Sequence, residues 1–103
     1  MALDLAYDVT GDGPPLVLLH GLFGSARNWR AIATRLAARR RVYSVDLRNH
    51  GDSPWDEDMS YPAMAADLCA FLDRHDIAGA AVMGHSMGGK AAMALALLHP
   101  DMV

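Results

Sequence analysis

The pentapeptide Gly84-His85-Ser86-Met87-Gly88 lies between a short apolar run, Ala78 to Met83, and the Ala- and Leu-rich stretch Gly89 to Leu98. A strand, a tight turn and a helix in that order give the Gly-x-Ser-x-Gly pattern its meaning, because the serine then stands on a sharp turn at the carboxyl end of a sheet strand. Small residues are needed where strand and helix approach, and Gly84, Gly88 and Gly89 meet that need. A serine so exposed can attack an acyl carbon once a histidine accepts its proton and a carboxylate orients the imidazole. Ser86 could instead simply begin a helix, a plainer use that the strand and the flanking glycines argue against.

The rest of the chain supplies the sheet that such a turn requires. Leu3, Leu5, Tyr7 and Val9 alternate with Asp4, Ala6 and Asp8, which predicts an outer strand over 3–9. Leu16 to Leu19 is apolar at every position and reads as a central strand covered on both faces. Trp29, Ile32, Ala33, Leu36 and Ala37 fall at helical spacing and predict a helix over 28–39. A strand over 41–47 follows, closed by the turn residues of Arg48 to Pro54. Ser60 precedes Tyr61-Pro62 and starts a second helix over 61–74. The strand over 78–83 and the helix over 89–98 complete three strand-to-helix units, hence right-handed parallel crossovers and an α/β fold with helices on both sheet faces. Because the last helix is apolar nearly all round, it should be buried in a body larger than these residues provide.

Charge and cysteine content narrow the partners. Nine basic and twelve acidic side chains, a formal net charge of -3 and no dense basic stripe attract neither a phosphate backbone nor an anionic membrane, so no nucleic-acid or membrane partner is expected. Lone Cys69 permits no internal disulfide, and the start MALDLAYDVT lacks the basic and apolar regions of a signal peptide, which points to the cytoplasm. No apolar run approaches the roughly 18 residues that span a bilayer.

A second loop leaves the same sheet edge. His20-Gly21-Leu22-Phe23-Gly24 follows the central strand, whose carboxyl end lies beside that of the serine strand in a parallel sheet. The backbone amides of Leu22 and Met87 are therefore placed to donate to the oxygen that becomes negative in a tetrahedral intermediate. Taken alone, His20-Gly21 is an ordinary turn with a packed histidine, and its pairing with the serine loop reverses that preference.

With Leu16 to Ser25, Asn28-Trp29, Asp46 to Pro54 and Gly84 to Lys90 in this order and spacing, the chain resembles the α/β-hydrolases. It is most similar to their small intracellular serine esterase and acyl hydrolase branch, which includes the YbfF-type bacterial esterases. The resemblance implies that Ser86 is the nucleophile and that Leu22 and Met87 supply the oxyanion amides. It further implies that the Asp46 to Pro54 loop buttresses the site, and that the reaction is hydrolysis of carboxylic esters or thioesters without a cofactor. In that family the acid and the histidine come later in the chain, after a lid-like insertion. Residues 1–103 would then be the N-terminal segment, about two-fifths, of a hydrolase domain whose C-terminal portion continues or accompanies it. Its ending at Val103 is read as a break before a further buried strand.

The remaining candidates rank below Ser86. His75, His85 and His99 are assigned structural roles, whereas His50 lies on the active edge and is expected to buttress its loop or line the substrate. Phe23, Trp55 and Met87 are placed to touch an apolar acyl group, while Trp29, Met64, Phe71 and Met93 read as core. Asp52, Asp56, Glu57 and Asp58 lack the spacing of a calcium loop and read as a solvated turn. Cys69 has no Cys-x-x-Cys companion and reads as a small buried hydrophobe, and no metal or nucleotide motif is present. A lactonase, a carbon-carbon bond hydrolase or a haloperoxidase-like perhydrolase could use the same serine. Dehalogenases and epoxide hydrolases would call for Asp at position 86. Outside catalysis, the alternative is a fold fragment or interaction protein that keeps the serine turn without its partners.

Overall fold

The computed structural model describes residues 2–103. Four strands, β1 (Tyr7–Thr10), β2 (Pro15–Leu19), β3 (Arg41–Val45) and β4 (Ala81–Gly84), form one sheet in the order β1-β3-β2-β4. β2 runs parallel to both β3 and β4, with Leu19 opposite Val45 on one side and Gly84 on the other, while β1 runs antiparallel along β3. The sheet is thus mostly parallel.

The uniformly apolar β2 is central for a simple reason: alternate side chains enter opposite layers. Val17 and Leu19 pack with Leu68, Phe71 and Leu95 from α2 (Tyr61–Arg74) and α3 (Met87–Leu98). Leu16 and Leu18 pack with Val42 and with Ala33 of α1 (Arg30–Leu36) on the other face. Helices therefore cover both sides, as the three strand-to-helix units predict. α2 begins where its sequence says: the Ser60 hydroxyl accepts from Ala63 N, and Pro62 occupies the first turn.

Several boundaries differ from expectation. Pairing along β1 begins only at Tyr7, and its four residues are exposed, although Leu5 ahead of it is buried. The lead-in is held by other means, since Ala6 N donates to Ser53 Oγ and Ala6 O accepts from Asp46 N. In place of one helix over 28–39, a 3-10 turn over Ala26–Trp29 precedes α1, which ends at Leu36. Ser25 and Asn28 cap the 3-10 turn reciprocally. Residues 37–40 then turn tightly against the β1–β2 connection, where Gly11 has φ +85° and an added Cβ would lie 2.3 Å from Arg40 O.

The last strand and helix also shift. β4 covers only Ala81–Gly84, and α3 starts at Met87, so Gly88 and Gly89 fall inside its first turn while Gly84 ends the strand. Within residues 2–103, α3 buries one stripe: Met87, Gly88, Ala91 and Leu95. Met93, expected in the core, is 61% exposed, and Leu97 and Leu98 are exposed with it. β4 forms a sheet edge on which Met83 is also exposed, so the apolar surface expected to be buried is uncovered here. Met64 and Phe71 are core, Trp29 is partly buried against the α1 layer, and Cys69 is partly buried against the main core. His75 sits in an aromatic cluster, 4.4 Å from the Phe71 ring and 4.7 Å from Tyr7 between centroids.

Candidate active site

Ser86 occupies the turn between β4 and α3 with φ 54° and ψ -112°, a backbone conformation that L residues rarely adopt. The turn is locked on three sides. His85 N donates to Leu19 O of the central strand, Gly88 N to His85 O and Lys90 N to Ser86 O, at 3.0, 2.9 and 3.1 Å. A Cβ at Gly84 would stand 2.3 Å from Gly88 C, and one at Gly88 would stand 2.3 Å from Leu19 O. Only hydrogen fits in either gap. The Ser86 side chain is exposed and makes no cap bond to α3, so the plain helix-starting role is not the one it plays.

Opposite stands the turn Gly21 to Gly24, closed by a 3.0 Å bond from Gly24 N to Gly21 O. A cavity of about 500 Å³ lies between the two loops, with Leu22, Phe23, Trp29, Ile32, His85 and Ser86 in its wall. Neither the Leu22 nor the Met87 amide has an acceptor among the described residues, and Met87 N belongs to the first residue of α3, where the helix dipole is positive. Phe23 is 91% exposed, and Leu22 is exposed beside it. On their other flank a hollow of about 410 Å³ is lined by Leu22, Phe23, His50, Trp55 and Met59. Trp55 is exposed at this second opening, whereas the Met87 side chain, expected to touch an acyl group, is buried in the main core and lines neither hollow.

Two histidines hold the loops from below. His20 Nδ1 lies 2.7 Å from Gly21 O and its Nε2 accepts from Leu47 N at 3.0 Å. His50 Nδ1 lies 2.9 Å from Arg48 O and its Nε2 accepts from Phe23 N at 3.0 Å. A carbonyl only accepts and an amide N–H only donates, so each ring is neutral with its proton on Nδ1. Both imidazoles thereby commit both nitrogens to the backbone, which leaves neither free to take a proton from Ser86. Burial pushes the His20 pKa down, a trend opposed by the Gly21 carbonyl and reinforced by His50. No hydrogen bond joins Ser86 to a histidine or a carboxylate among the described residues.

Below the edge lies a polar framework centred on the Asp46 to Pro54 loop, whose long-range partners the sequence does not announce. Asp46 accepts from Ala26 N and Asp52 N at 2.7 and 3.0 Å, and a Cβ on Gly51 would collide with its carboxylate. Arg48 reaches back into the core, where Nε and one terminal nitrogen donate to Asp67 at 2.6 and 2.8 Å. This hydrogen bonding raises the Arg48 pKa further above its ordinary value. Asp67, fully buried on α2, also accepts from Leu3 N, and Arg48 donates to Asp58 O at 2.7 Å. An aspartate on the apolar face of α2 between Met64 and Leu68 is the one signal in the sequence that such a partner must exist.

The acidic stretch folds onto its own backbone: Asp56 Oδ1 accepts from Asp58 N, and Asp58 Oδ1 from Ser60 N. The latter bond lowers the Asp58 pKa. Among the described residues no three His, Cys, Asp or Glu side chains converge as a metal site, and no helix is long and apolar enough to cross a membrane.

The alpha/beta hydrolase fold family matches residues 14–103. An sn-1-specific diacylglycerol lipase, ABHD11 of Xenopus tropicalis, is 51% identical over 106 residues, which cover 98% of this chain and 33% of that protein. Esterase YbfF of Escherichia coli (strain K12) is 52% identical over 89 residues, 86% of this chain and 35% of that protein. Among solved structures, a marine microorganism esterase superposes with a TM-score of 0.97 at 47% identity, over 99% of this chain and 40% of that one. The chain spans about a third of the length of these curated relatives.

Proposed function

The chain belongs to the alpha/beta hydrolase fold family, and from that premise we propose that it forms the nucleophile and oxyanion part of a serine ester hydrolase. Ser86 Oγ attacks the acyl carbon of a carboxylic ester or thioester. Its proton passes to a histidine, oriented by an acid, that the C-terminal portion of a longer protein supplies. As the carbonyl oxygen becomes negative, it is received by the amides of Leu22 and Met87, which have no other acceptor among the described residues. Collapse of the tetrahedral intermediate expels the alcohol or thiol, which takes the proton back from the histidine. Water then hydrolyses the acyl-serine by the same route.

The observation that carries this reading is the strained, exposed Ser86, facing the Gly21 to Gly24 turn across a cavity and spending no bond on its own helix. Leu22, Phe23, Trp29 and Ile32 make the cavity wall apolar, which suits an acyl chain, and Trp55 extends that surface beyond Phe23. His50 also lines this second hollow, with both ring nitrogens taken by the backbone. Residues 1–103 act as one segment of the hydrolase domain, in the reducing cytoplasm that lone Cys69 suits.

A fluorophosphonate probe applied to the complete enzyme tests the assignment. Its mass is expected on Ser86, with both labelling and hydrolysis of a chromogenic ester lost in Ser86→Ala while the fold is kept. Ester hydrolysis that survives in Ser86→Ala would remove Ser86 from the mechanism.

A further inference from the structure

Two large aromatic side chains stand in solvent on the active edge, and the backbone of each is held in place. Phe23 is 91% and Trp55 78% exposed. Asn49 clamps the chain on both sides of Trp55: its N–H donates to Pro54 O at 3.0 Å, its Oδ1 accepts from Asp56 N at 2.6 Å, and its Nδ2 donates to Asp56 O at 2.8 Å. Asn49 itself takes φ 67°, a left-handed conformation that asparagine tolerates better than most residues. Phe23 is fixed through its own amide, which His50 Nε2 accepts. Loops fastened in this way present their aromatic rings with part of the ordering cost of binding already met.

The hollow of about 410 Å³ that both residues line falls within the size range of ligand sites. Among the described residues its lining holds no lysine, arginine, aspartate or glutamate. The Asn49 amide is taken up by the Asp56 backbone, and the His50 ring by Arg48 O and Phe23 N. With Leu22 and Met59 completing the wall, the hollow suits hydrocarbon better than a sugar or a charged head.

Strand order ties this hollow to Ser86. Because β4, β2 and β3 run side by side, the loops at their carboxyl ends lie in a row: Ser86 first, Gly21 to Gly24 next, and Asn49 to Met59 beyond. Leu22, Phe23 and Gly24 wall both the Ser86 cavity and the hollow, so an extended chain can pass from one to the other over that turn. The leaving alcohol has to sit beside the histidine that protonates it. A C-terminal portion that supplies this histidine finds apolar footing at the open edge of β4, on the side away from β3, where Met83 is exposed and Met93 and Leu97 of α3 are uncovered. The acyl chain is the arm left to run toward Trp55.

We propose that Phe23 and Trp55 form a second apolar subsite that takes the far end of the acyl chain carried on Ser86, so that the enzyme selects medium and longer acyl groups through Trp55. The proposal rests on the reading of Ser86 given above.

The test measures kcat/KM of the complete enzyme and its variants for p-nitrophenyl octanoate and p-nitrophenyl acetate, read as the octanoate-to-acetate ratio. Each methylene taken out of water is worth about fourfold, so Trp55→Ala, losing contact with about two of them, should lower the ratio about 15-fold. Trp55→Phe keeps part of the apolar face and should lower it by less than about fourfold. Should the alanine variant not fold, Trp55→Gln, nearer in bulk but polar, repeats the comparison. In a parallel series of acetate esters of short and long alkyl alcohols, Trp55→Ala should change the ratio by less than about twofold. An octanoate-to-acetate ratio within about twofold of the parent overturns the proposal, and a drop in Tm with it would identify Trp55 as a seat for the C-terminal portion. A loss that appears in the alcohol series instead also overturns it. Ser86→Ala separates the two claims. If it still hydrolyses either ester, the site reading fails; if it is inactive while the ratio in Trp55→Ala is unchanged, only the subsite fails.

Discussion

Replacing Asp67 by alanine removes a carboxylate that serves three donors, and the structure sets the cost. Arg48 Nε and a terminal nitrogen bond it at 2.6 and 2.8 Å, and Leu3 N at 2.7 Å. Arg48 is only 3% exposed, so after Asp67→Ala its guanidinium is left in the core with the Asp58 carbonyl and the more distant Asp56 carboxylate, 3.7 Å away, as partners. Breaking a buried ion pair from one side costs about 3–5 kcal/mol, because the surviving charge stays desolvated and uncompensated. At about 2–4 °C per kcal/mol for a domain of 150–250 residues, the complete enzyme should lose roughly 6–20 °C in Tm. The double variant Arg48→Met/Asp67→Leu removes both charges together and should recover most of that loss. Urea unfolding monitored by tryptophan fluorescence measures both variants on one scale. If Asp67→Ala costs less than about 1 kcal/mol, or the double variant is no more stable than the single, the pair is not the anchor described here.

Two further expectations come from the same loops. Gly88→Ala places a methyl group 2.3 Å from Leu19 O and 2.5 Å from His20 O, both backbone atoms, so β2 and α3 must separate. Activity should fall by at least about tenfold together with stability, since a displacement near 1 Å at the reacting centre is costly; an active, equally stable variant would contradict the packing of the turn. His20 titrates below its ordinary 6.5 because burial disfavours the charged ring. The unfolded chain therefore takes up this proton at higher pH than the folded one. Stability from neutral His20 is complete above about pH 6.5 and is lost as pH falls through the lower folded value. His20→Asn should flatten the decline of Tm between about pH 7 and 5, and an unchanged slope would exclude His20 as its source.

Local chemistry leaves a clear record of the elements that matter most. Leu16 to Leu19 is apolar at every position because β2 is covered on both faces, and no partner need be known to read that. The same holds for Ser60 and Pro62 at the start of α2 and for Gly84, whose crowding neighbours lie within five residues, whereas Gly88 is kept small by Leu19 O far back in the chain. Thus the α/β class, the serine turn and its pairing with the His20 to Gly24 loop follow from composition and spacing along the chain.

Tertiary structure decides whatever depends on a partner distant in sequence. Leu3 and Leu5 alternate like strand residues, yet pairing starts at Tyr7 because Ser53 takes the Ala6 amide first. Arg48 and Asp67 are 19 residues apart, and nothing in either neighbourhood shows that one neutralises the other. α3 is apolar on most sides, but only the structure shows which stripe meets α2 and which lies open beside β4. His50 is only half legible in sequence: its place on the active edge suggests a strut or a substrate-lining residue, without saying which backbone groups it holds. A histidine in a polar loop can be base, ligand or strut, and its role depends on where its two nitrogens find partners. Here those are a carbonyl two residues back and an amide 27 residues away, a choice made by the fold and invisible to any local pattern.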